Sequence, residues 1–207
     1  MWIWVTWLTK IMALENACAW ALWFKSRHQY EKLPRGGELE RWTQEHDALV
    51  QHRAKQLEAA GYSVYVEDHN KFTVRGSSGA TISGKPDIVA IKDSVAIFED
   101  CKTGKKRASD HYQVLLYIIL GAHLTGLMNC SSLEGNVVYT DCVEPVDVSL
   151  IEDTKVKLRN LVAIAISPSP PSASPSSREC LYCDIADYYC DERINGADDS
   201  IYITDAF

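Results

Sequence analysis

Two short apolar runs, with only two residues between them, constrain the fold of this chain more than any other segment. Residues 87–92 and 95–102 are rich in the apolar and β-branched residues that favour strands, and Asp93–Ser94 between them has the composition of a turn. A connection of two residues leaves the strands no room to separate. The sequence therefore predicts two adjacent strands of one sheet.

Charged side chains occur at the ends of these two strands. Asp87 opens the first strand, and Asp100 and Lys102 lie two residues apart near the end of the second. Because side chains alternate along a strand, Asp100 and Lys102 point to one face. Glu99 and Cys101 must then point to the other face. Two carboxylates beside one lysine suit a divalent metal ion next to a phosphodiester, where the lysine orients a water molecule or neutralises developing charge.

A polar pair interrupts the apolar helix that is predicted over residues 109–124. Gln113 and Tyr117 are one helical turn apart, so they share one side of the helix. The residues between and after them are otherwise apolar. The pair is therefore placed to reach the acidic pocket or a phosphate.

The order of elements along the whole chain indicates an α/β fold with a central mixed sheet flanked by helices. Gly61 stands where a C′ glycine would end a helix, and the glycine- and serine-rich residues 75–86 are predicted to form a loop. The predicted helices are 6–30, 38–60, 109–124 and 149–166, and the predicted strands are 62–67 and 71–75 around a hairpin turn at 68–70, then 87–92, 95–102 and 136–141.

Taken together, these motifs resemble the PD-(D/E)xK nuclease superfamily, and specifically its RecB-like branch. The residues that match in order and spacing are Pro86, Asp87, Asp100, Lys102, Thr103, Gly104, Gln113 and Tyr117. The resemblance implies a restriction-endonuclease-like fold in which Asp87 and Asp100 hold Mg²⁺ or Mn²⁺ and Lys102 assists the attacking water. It also implies that Gln113 and Tyr117 belong to the catalytic site. The branch more often has Glu where this chain has Asp100, and the shorter carboxylate should preserve ligation.

A histidine completes the metal site in the same branch, where it comes from a helix upstream of the sheet. His46, on the predicted helix 38–60, is the best match, and the resemblance implies that it is a third ligand. His52 lies six residues further along, near the opposite side of the helix, and fits less well. The alternative for His46 is an exposed helix position among polar neighbours.

Three cysteines near the end of the chain form a second constellation. Cys180, Cys183 and Cys190 supply three thiols, one fewer than an ordinary four-thiolate site needs. The spacing alone does not choose the fourth, for which the candidates are Cys18, Cys101, Cys130 and Cys142.

Iron–sulfur members of the RecB-like branch, including AddB-type nuclease domains and CRISPR-associated Cas-four exonucleases, have one cysteine before the nuclease motifs and three after them. Cys18 matches the upstream position. The resemblance thus implies a [4Fe-4S] cluster on Cys18, Cys180, Cys183 and Cys190, which would close the tail onto the N-terminal helix. The alternatives are a structural Zn²⁺, because cysteine ligation does not separate the two metals, and thiols in a loose tail that hold no metal.

Composition divides the chain into a near-neutral body and an acidic tail. The formal charge is −7, and residues 184–207 hold seven carboxylates against one arginine, so the tail contributes −6 and residues 1–183 contribute −1. We expect a nuclease core over 1–166, a proline- and serine-rich linker over 167–177 and a cysteine-containing tail over 178–207.

Basic and aromatic residues supply candidate contacts to DNA. Lys105, Lys106 and Arg107 follow the second strand and are predicted to contact backbone phosphates. Three aromatic residues are candidates to stack on bases, although packing is the commoner role for such side chains: Trp42, Tyr112 and Tyr182.

The N-terminal residues 1–8 are apolar but far shorter than the ~20 residues that span a bilayer, so no membrane segment is expected. Seven cysteines without a secretory leader favour a reducing, cytoplasmic location.

The function predicted from these residues is a metal-dependent DNA nuclease, an exonuclease on single-stranded DNA or DNA ends. Such an enzyme would act in antiviral defence, with CRISPR adaptation proteins or a helicase as partners. One alternative is a structure-specific endonuclease of repair or a mobile element. The other is a catalytically inactive DNA- or partner-binding domain with structural zinc.

Overall fold

The computed structural model describes residues 1–33, 39–122, 127 and 130–195. In these ranges the helices are α1 (Val5–Met12), α2 (Ala19–Arg27), α3 (Leu39–Ala59), α4 (Ala108–Gly121), α5 (Ile151–Ile166) and α6 (Ser177–Leu181). The strands are β1 (Trp2–Trp4), β2 (Ser63–Val66), β3 (Phe72–Arg75), β4 (Thr81–Gly84), β5 (Ile88–Lys92), β6 (Val95–Lys102), β7 (Ser132–Tyr139) and β8 (Val143–Pro145).

The fold is mixed α/β, and its larger sheet has the order β2-β5-β6-β7-β8. Strands β6 and β7 are parallel, and the other neighbours in this sheet are antiparallel. The turn predicted between β5 and β6 is confirmed, with Asp93 in the left-handed region at φ 54°. Helix α3 packs on one face of the sheet, whereas α4 packs on the other together with α1 and α5.

Side chains along the two central strands alternate between the two faces of the sheet, as period two requires. In β5, Ile88 and Ala90 pack under α3, while Val89 belongs to the core under α4. In β6, Cys101 faces α3 and Phe98 faces α4. None of the described helices is both long and apolar enough to cross a bilayer.

The N-terminal segment differs from the single helix predicted over residues 6–30. Strand β1 comes first and pairs in parallel with β4, burying Ile3 completely. Helix α1 then stops at Met12, the chain turns through Leu14 at φ 57°, and α2 begins at Ala19. The break has a tertiary cause, because the Glu15 carboxylate accepts hydrogen bonds from the backbone N–H and hydroxyl of Ser109 at the start of α4.

The predicted hairpin of β2 and β3 is also wrong. Strand β2 pairs with β5, whereas β3 pairs with β4 in a second sheet of order β1-β4-β3. Strand β4 lies in the segment that composition predicts to be a loop. Close packing explains the glycine at the end of this strand, since a Cβ on Gly84 would lie 2.5 Å from the Phe72 ring. The central sheet of the sequence prediction is therefore divided between two sheets within the described residues.

Other predicted helix boundaries are close to the observed ones, whereas β7 begins at Ser132, four residues before the predicted strand 136–141, and β8 was not predicted. Helix α3 ends before Gly61, which has φ 86° as a C′ glycine requires. The predicted helix ends at Glu38 and Leu124, and the tail residues 196–207, lie outside the described residues. Residues 167–176 form no helix or strand, and α6 follows them.

Candidate active site

The antiparallel pairing of β5 and β6 brings the predicted acidic residues together. Ile88 pairs with Glu99, so Asp87 lies next to Asp100 on the neighbouring strand. Both carboxylates are almost entirely buried, with 8% and 2% of their surface exposed. The Lys102 ammonium lies 2.5 Å from Asp100 Oδ2 and is partly exposed. The hairpin therefore places two carboxylates and one cation at the same end of the sheet.

Helix α4 adds the predicted polar pair to this group. The Gln113 amide donates to Asp100 Oδ1 at 2.7 Å and to the Tyr117 hydroxyl at 2.8 Å. Lys102 Nζ donates to the Gln113 carbonyl oxygen at 3.1 Å. Gln113 thus links the carboxylate to the lysine and fixes the orientation of both.

His46 joins the same group from helix α3. Its Nε2 lies 3.2 Å from Asp87 Oδ2, which also accepts the backbone N–H of Cys101 at 2.7 Å. The His46 side chain is only 16% exposed, so it does not occupy the exposed position that its polar neighbours suggested. The hydrogen bond to Asp87 raises the pKa of His46. His52 instead contacts Gln56 on an exposed part of α3.

Burial sets the electrostatics of this site. It raises the pKa of Asp100 to about 7, against the opposing effect of Lys102. Burial lowers the pKa of Lys102, but the charges of Asp100 and Asp87 and the hydrogen bond to Asp100 outweigh it, so the net direction is upward. Asp100 Oδ2 lies 2.5 Å from the Lys102 ammonium and Oδ1 accepts the Gln113 amide, so both oxygens have polar neighbours. Two buried carboxylates beside an imidazole supply oxygen and nitrogen donors of the kind that Mg²⁺ and Mn²⁺ take.

These residues line a cavity of about 740 Å³, which we call the acidic cavity. Among the predicted phosphate contacts, Lys105 and Arg107 line it. Lys106 does not, because its ammonium lies 2.7 Å from Glu144 Oε1 and 2.9 Å from Cys142 Sγ, beside a second cavity. Of the three predicted basic residues, Lys105 therefore lines the acidic cavity, Lys106 lines the second cavity and Arg107 lines both.

Some residues of the site have no clear signal in the sequence. Glu67, at φ 45°, lines the acidic cavity, and its carboxylate comes within 4.8 Å of ligand atoms of His46 and Asp47. On the opposite face of β6, Arg53 binds both oxygens of the fully buried Glu99 at 2.7 Å. The position of Glu99, one residue before Asp100, predicted the face of β6 to which its side chain points but not that Arg53 is its partner.

The tail returns to the N-terminal region and brings the four predicted cysteines together. Burial raises the pKa of the Cys190 thiol, and its neighbours Cys18, Cys180 and Cys183 raise it further. All four are free thiols. The other cysteines lie apart from this group: Cys101 packs under α3, Cys142 contacts Lys106, and Cys130 borders the main core.

Protein contacts hold the tail in place, which the sequence analysis did not anticipate. Glu179 Oε1 accepts the backbone N–H groups of Ala17 at 2.6 Å and Cys18 at 3.1 Å. Asp184 pairs with Lys25 at 2.5 Å. Ile185 is 1% exposed. Hydrogen bonds, an ion pair and apolar packing therefore hold the tail against the N-terminal region.

Comparison with known proteins adds little to this geometry. No family model matches the chain, and no curated protein matches it. The chain is similar to a solved structure described as "Crystal structure of SSO0001", with 16% sequence identity and a TM-score of 0.46. That match covers 94% of this chain and 88% of the other.

Proposed function

We propose that this protein is a Mg²⁺- or Mn²⁺-dependent DNA nuclease of the PD-(D/E)xK type, acting as an exonuclease on single-stranded DNA or DNA ends. The observation that carries the proposal is the hydrogen-bonded group Asp100, Lys102, Gln113 and Tyr117, which lies beside Asp87 in one cavity. The combination of buried carboxylates, a charged lysine and a cationic rim matches the demands of phosphodiester hydrolysis.

Each side chain has a role that its position supports. Asp87, Asp100 and His46 are the residues that would hold the metal ion. When bound, the ion polarises the phosphodiester and lowers the pKa of a water molecule. The raised pKa of Lys102, in which Asp100 and Asp87 outweigh burial, keeps its ammonium charged at neutral pH, so it can neutralise charge on the phosphate. Gln113 hydrogen-bonds to both Asp100 and Lys102 and so fixes the positions of their side chains relative to each other.

A nuclease assay with Mg²⁺ or Mn²⁺ on labelled single-stranded, duplex and circular DNA tests the proposal. We expect Asp87→Ala, Asp100→Asn and Lys102→Ala each to abolish metal-dependent cleavage without unfolding the protein. Asp93→Asn is the matched control, because it makes the same change as Asp100→Asn at the far end of the same hairpin. Loss of activity in the control, or full activity in all three variants, would contradict the assignment.

The same cleavage assay, together with DNA-binding and co-purification measurements, separates the alternatives. Cleavage of circular single strands, which have no ends, would identify an endonuclease. It would favour the alternative of a structure-specific endonuclease of repair or a mobile element. Binding without cleavage would identify an inactive DNA-binding domain. Co-purification with CRISPR adaptation proteins or with a helicase would support a role in antiviral defence.

We further propose that Cys18, Cys180, Cys183 and Cys190 hold a [4Fe-4S] cluster that stabilises the fold. Cys18, Cys180 and Cys183 lie near enough to Cys190 to raise the pKa of its thiol, and the Cys18 backbone binds Glu179 beside Cys180, an arrangement that suits a thiolate-ligated cofactor. Anaerobically purified protein should then be brown, with equal amounts of iron and acid-labile sulfide. Cys18→Ser should lose the colour, whereas the matched variant Cys130→Ser should keep it. Colourless protein that contains stoichiometric zinc would contradict the iron–sulfur cluster and would support the structural Zn²⁺ alternative.

A further inference from the structure

One tryptophan occupies an exposed position at the rim of the acidic cavity. Trp42 lies on α3 one helical turn before His46, and 51% of its surface is exposed. Its ring stacks on the His46 imidazole, with centroids 5.3 Å apart and planes 28° apart. Because tryptophan is highly buried on average, a half-exposed indole beside a candidate catalytic residue calls for a partner.

The cavity distinguishes Trp42 from the other two aromatic candidates. Trp42 and Trp4 both line the acidic cavity with Asp87 and Asp100. Tyr112 instead lines the second cavity, where its hydroxyl bonds to Lys157. Tyr182 lies in the tail and is absent from the described lining of either cavity. Of the three, only Trp42 stands where a strand bound at the carboxylates would pass.

The surroundings of Trp42 combine two features that single-stranded nucleic acid requires. Lys105 and Arg107 line the same cavity and supply cations for backbone phosphates. The exposed indole supplies a surface on which a base can stack, and such surfaces bind unpaired bases with little sequence preference. A base inside a duplex is already stacked between its neighbours and cannot use this surface without leaving the helix.

We infer that Trp42 stacks on an unpaired base next to the phosphodiester at the site formed by Asp87 and Asp100, and that this contact sets a preference for unpaired strands over duplex. The inference rests on the proposed function and deepens it. The four residues from Trp42 to His46 rise about 6 Å along α3, so the stacked base belongs to a nucleotide at the reacting phosphate or beside it. Trp42 would be a specificity-determining residue, with the His46 ring supporting its other face.

Binding to two matched strands tests the role of Trp42 without depending on cleavage. One strand is a fluorescein-labelled thymidine oligonucleotide, and the other has the same length and phosphates but abasic sites in place of the bases. Affinities are measured by fluorescence anisotropy with Ca²⁺ in place of Mg²⁺, at one fixed salt concentration. The proteins are the full-length wild type, Trp42→Ala, Trp42→Phe and Tyr65→Ala. Tyr65 is the matched control because it is 46% exposed and is not part of the described cavity lining.

We expect Trp42→Ala to weaken binding of the thymidine strand about 10-fold, since stacking of one base contributes roughly 1–3 kcal/mol. Binding of the abasic strand should not change, Trp42→Phe should restore most of the affinity, and Tyr65→Ala should resemble the wild type. Unchanged affinity of Trp42→Ala for the thymidine strand would overturn the inference. An equal loss on both strands would do the same, because it would mean that Trp42 acts through structure or charge.

Photocrosslinking keeps the inference testable if Trp42→Ala fails to fold. A strand containing 5-bromouracil should crosslink to Trp42 in the wild-type protein, and crosslinks found only elsewhere would refute the stacking. Cleavage with Mg²⁺ or Mn²⁺ is measured separately on the same wild-type protein. Base-dependent binding through Trp42 without cleavage would refute only the catalytic proposal, whereas cleavage of single strands by a protein indifferent to Trp42 would refute only the stacking.

Discussion

Two neighbouring carboxylates in β6 should respond oppositely to substitution. Glu99 is fully buried and binds Arg53 through both oxygens, and Asn136 donates a third hydrogen bond at 2.8 Å. Glu99→Ala therefore leaves a guanidinium and an amide without their acceptor. Asp100→Asn keeps an oxygen for the Gln113 amide and removes a carboxylate whose burial raises its pKa to about 7.

The expected cost of Glu99→Ala follows from this burial. Removing one partner of a buried ion pair costs about 3–5 kcal/mol, and the Arg53 side chain remains 18% exposed, which allows some rehydration and favours the lower end. A loss of about 3 kcal/mol corresponds to roughly 6–12 °C in Tm for a chain of this size. Asp100→Asn should lower the free energy of unfolding by less than Glu99→Ala does, because burial already disfavours the Asp100 charge and the Gln113 amide keeps its acceptor, while it abolishes cleavage.

Urea unfolding of the metal-free protein measures both effects. Glu99→Ala, Arg53→Ala and the double variant form a cycle, and we expect a coupling energy of roughly 1–3 kcal/mol. At a temperature where Glu99→Ala remains folded, it should retain most of the nuclease activity. If Glu99→Ala lowers the free energy of unfolding by less than about 1 kcal/mol and the cycle shows no coupling between Glu99 and Arg53, the two residues do not form a buried ion pair. Abolished activity in fully folded Glu99→Ala would refute the assigned faces of β6.

Three further variants test other parts of the structure. His46→Ala should weaken metal use more than stability, and excess Mn²⁺ should restore part of the cleavage; equal activity at limiting metal would remove His46 from the site. Although burial opposes it, hydrogen bonds from Cys18, Ser176 and Ala17 lower the pKa of Glu179 below its ordinary 4.5. The stabilisation that the Glu179 carboxylate gives the fold is therefore present above that value and is lost as pH falls through the lowered pKa. Glu179→Gln should accordingly be less stable than the wild type by about 1 kcal/mol at neutral pH. In acid the two proteins should be equally stable. Gly135→Ala should cost roughly 1–3 kcal/mol of unfolding free energy, because the new Cβ would lie 2.4 Å from Val114 Cγ1, whereas Gly104→Ala, with nothing within 4 Å, should cost little.

Local patterns predicted the part of the site that short-range geometry controls. The two-residue connection placed β5 beside β6, and alternation set the opposite directions of Asp100 and Glu99. Helical spacing put Gln113 and Tyr117 on one side of α4, where they hydrogen-bond to each other. These relations depend on the periods of a strand and a helix, which any sequence of this kind must obey. The catalytic and metal-binding roles of these residues stay predictions.

Contacts between segments far apart in the chain were decided only by the tertiary structure. Composition gave residues 75–86 the appearance of a loop, yet β4 forms there because β1 and β3 provide partners on both sides. Arg53 meets Glu99 across 46 residues, and Glu179 meets Cys18 across 161. A charged side chain in a sequence has many possible partners, and which one it binds depends on where packing brings the backbone. The sequence by itself therefore determined the direction of each side chain along its element, whereas the tertiary structure determined which residue it meets.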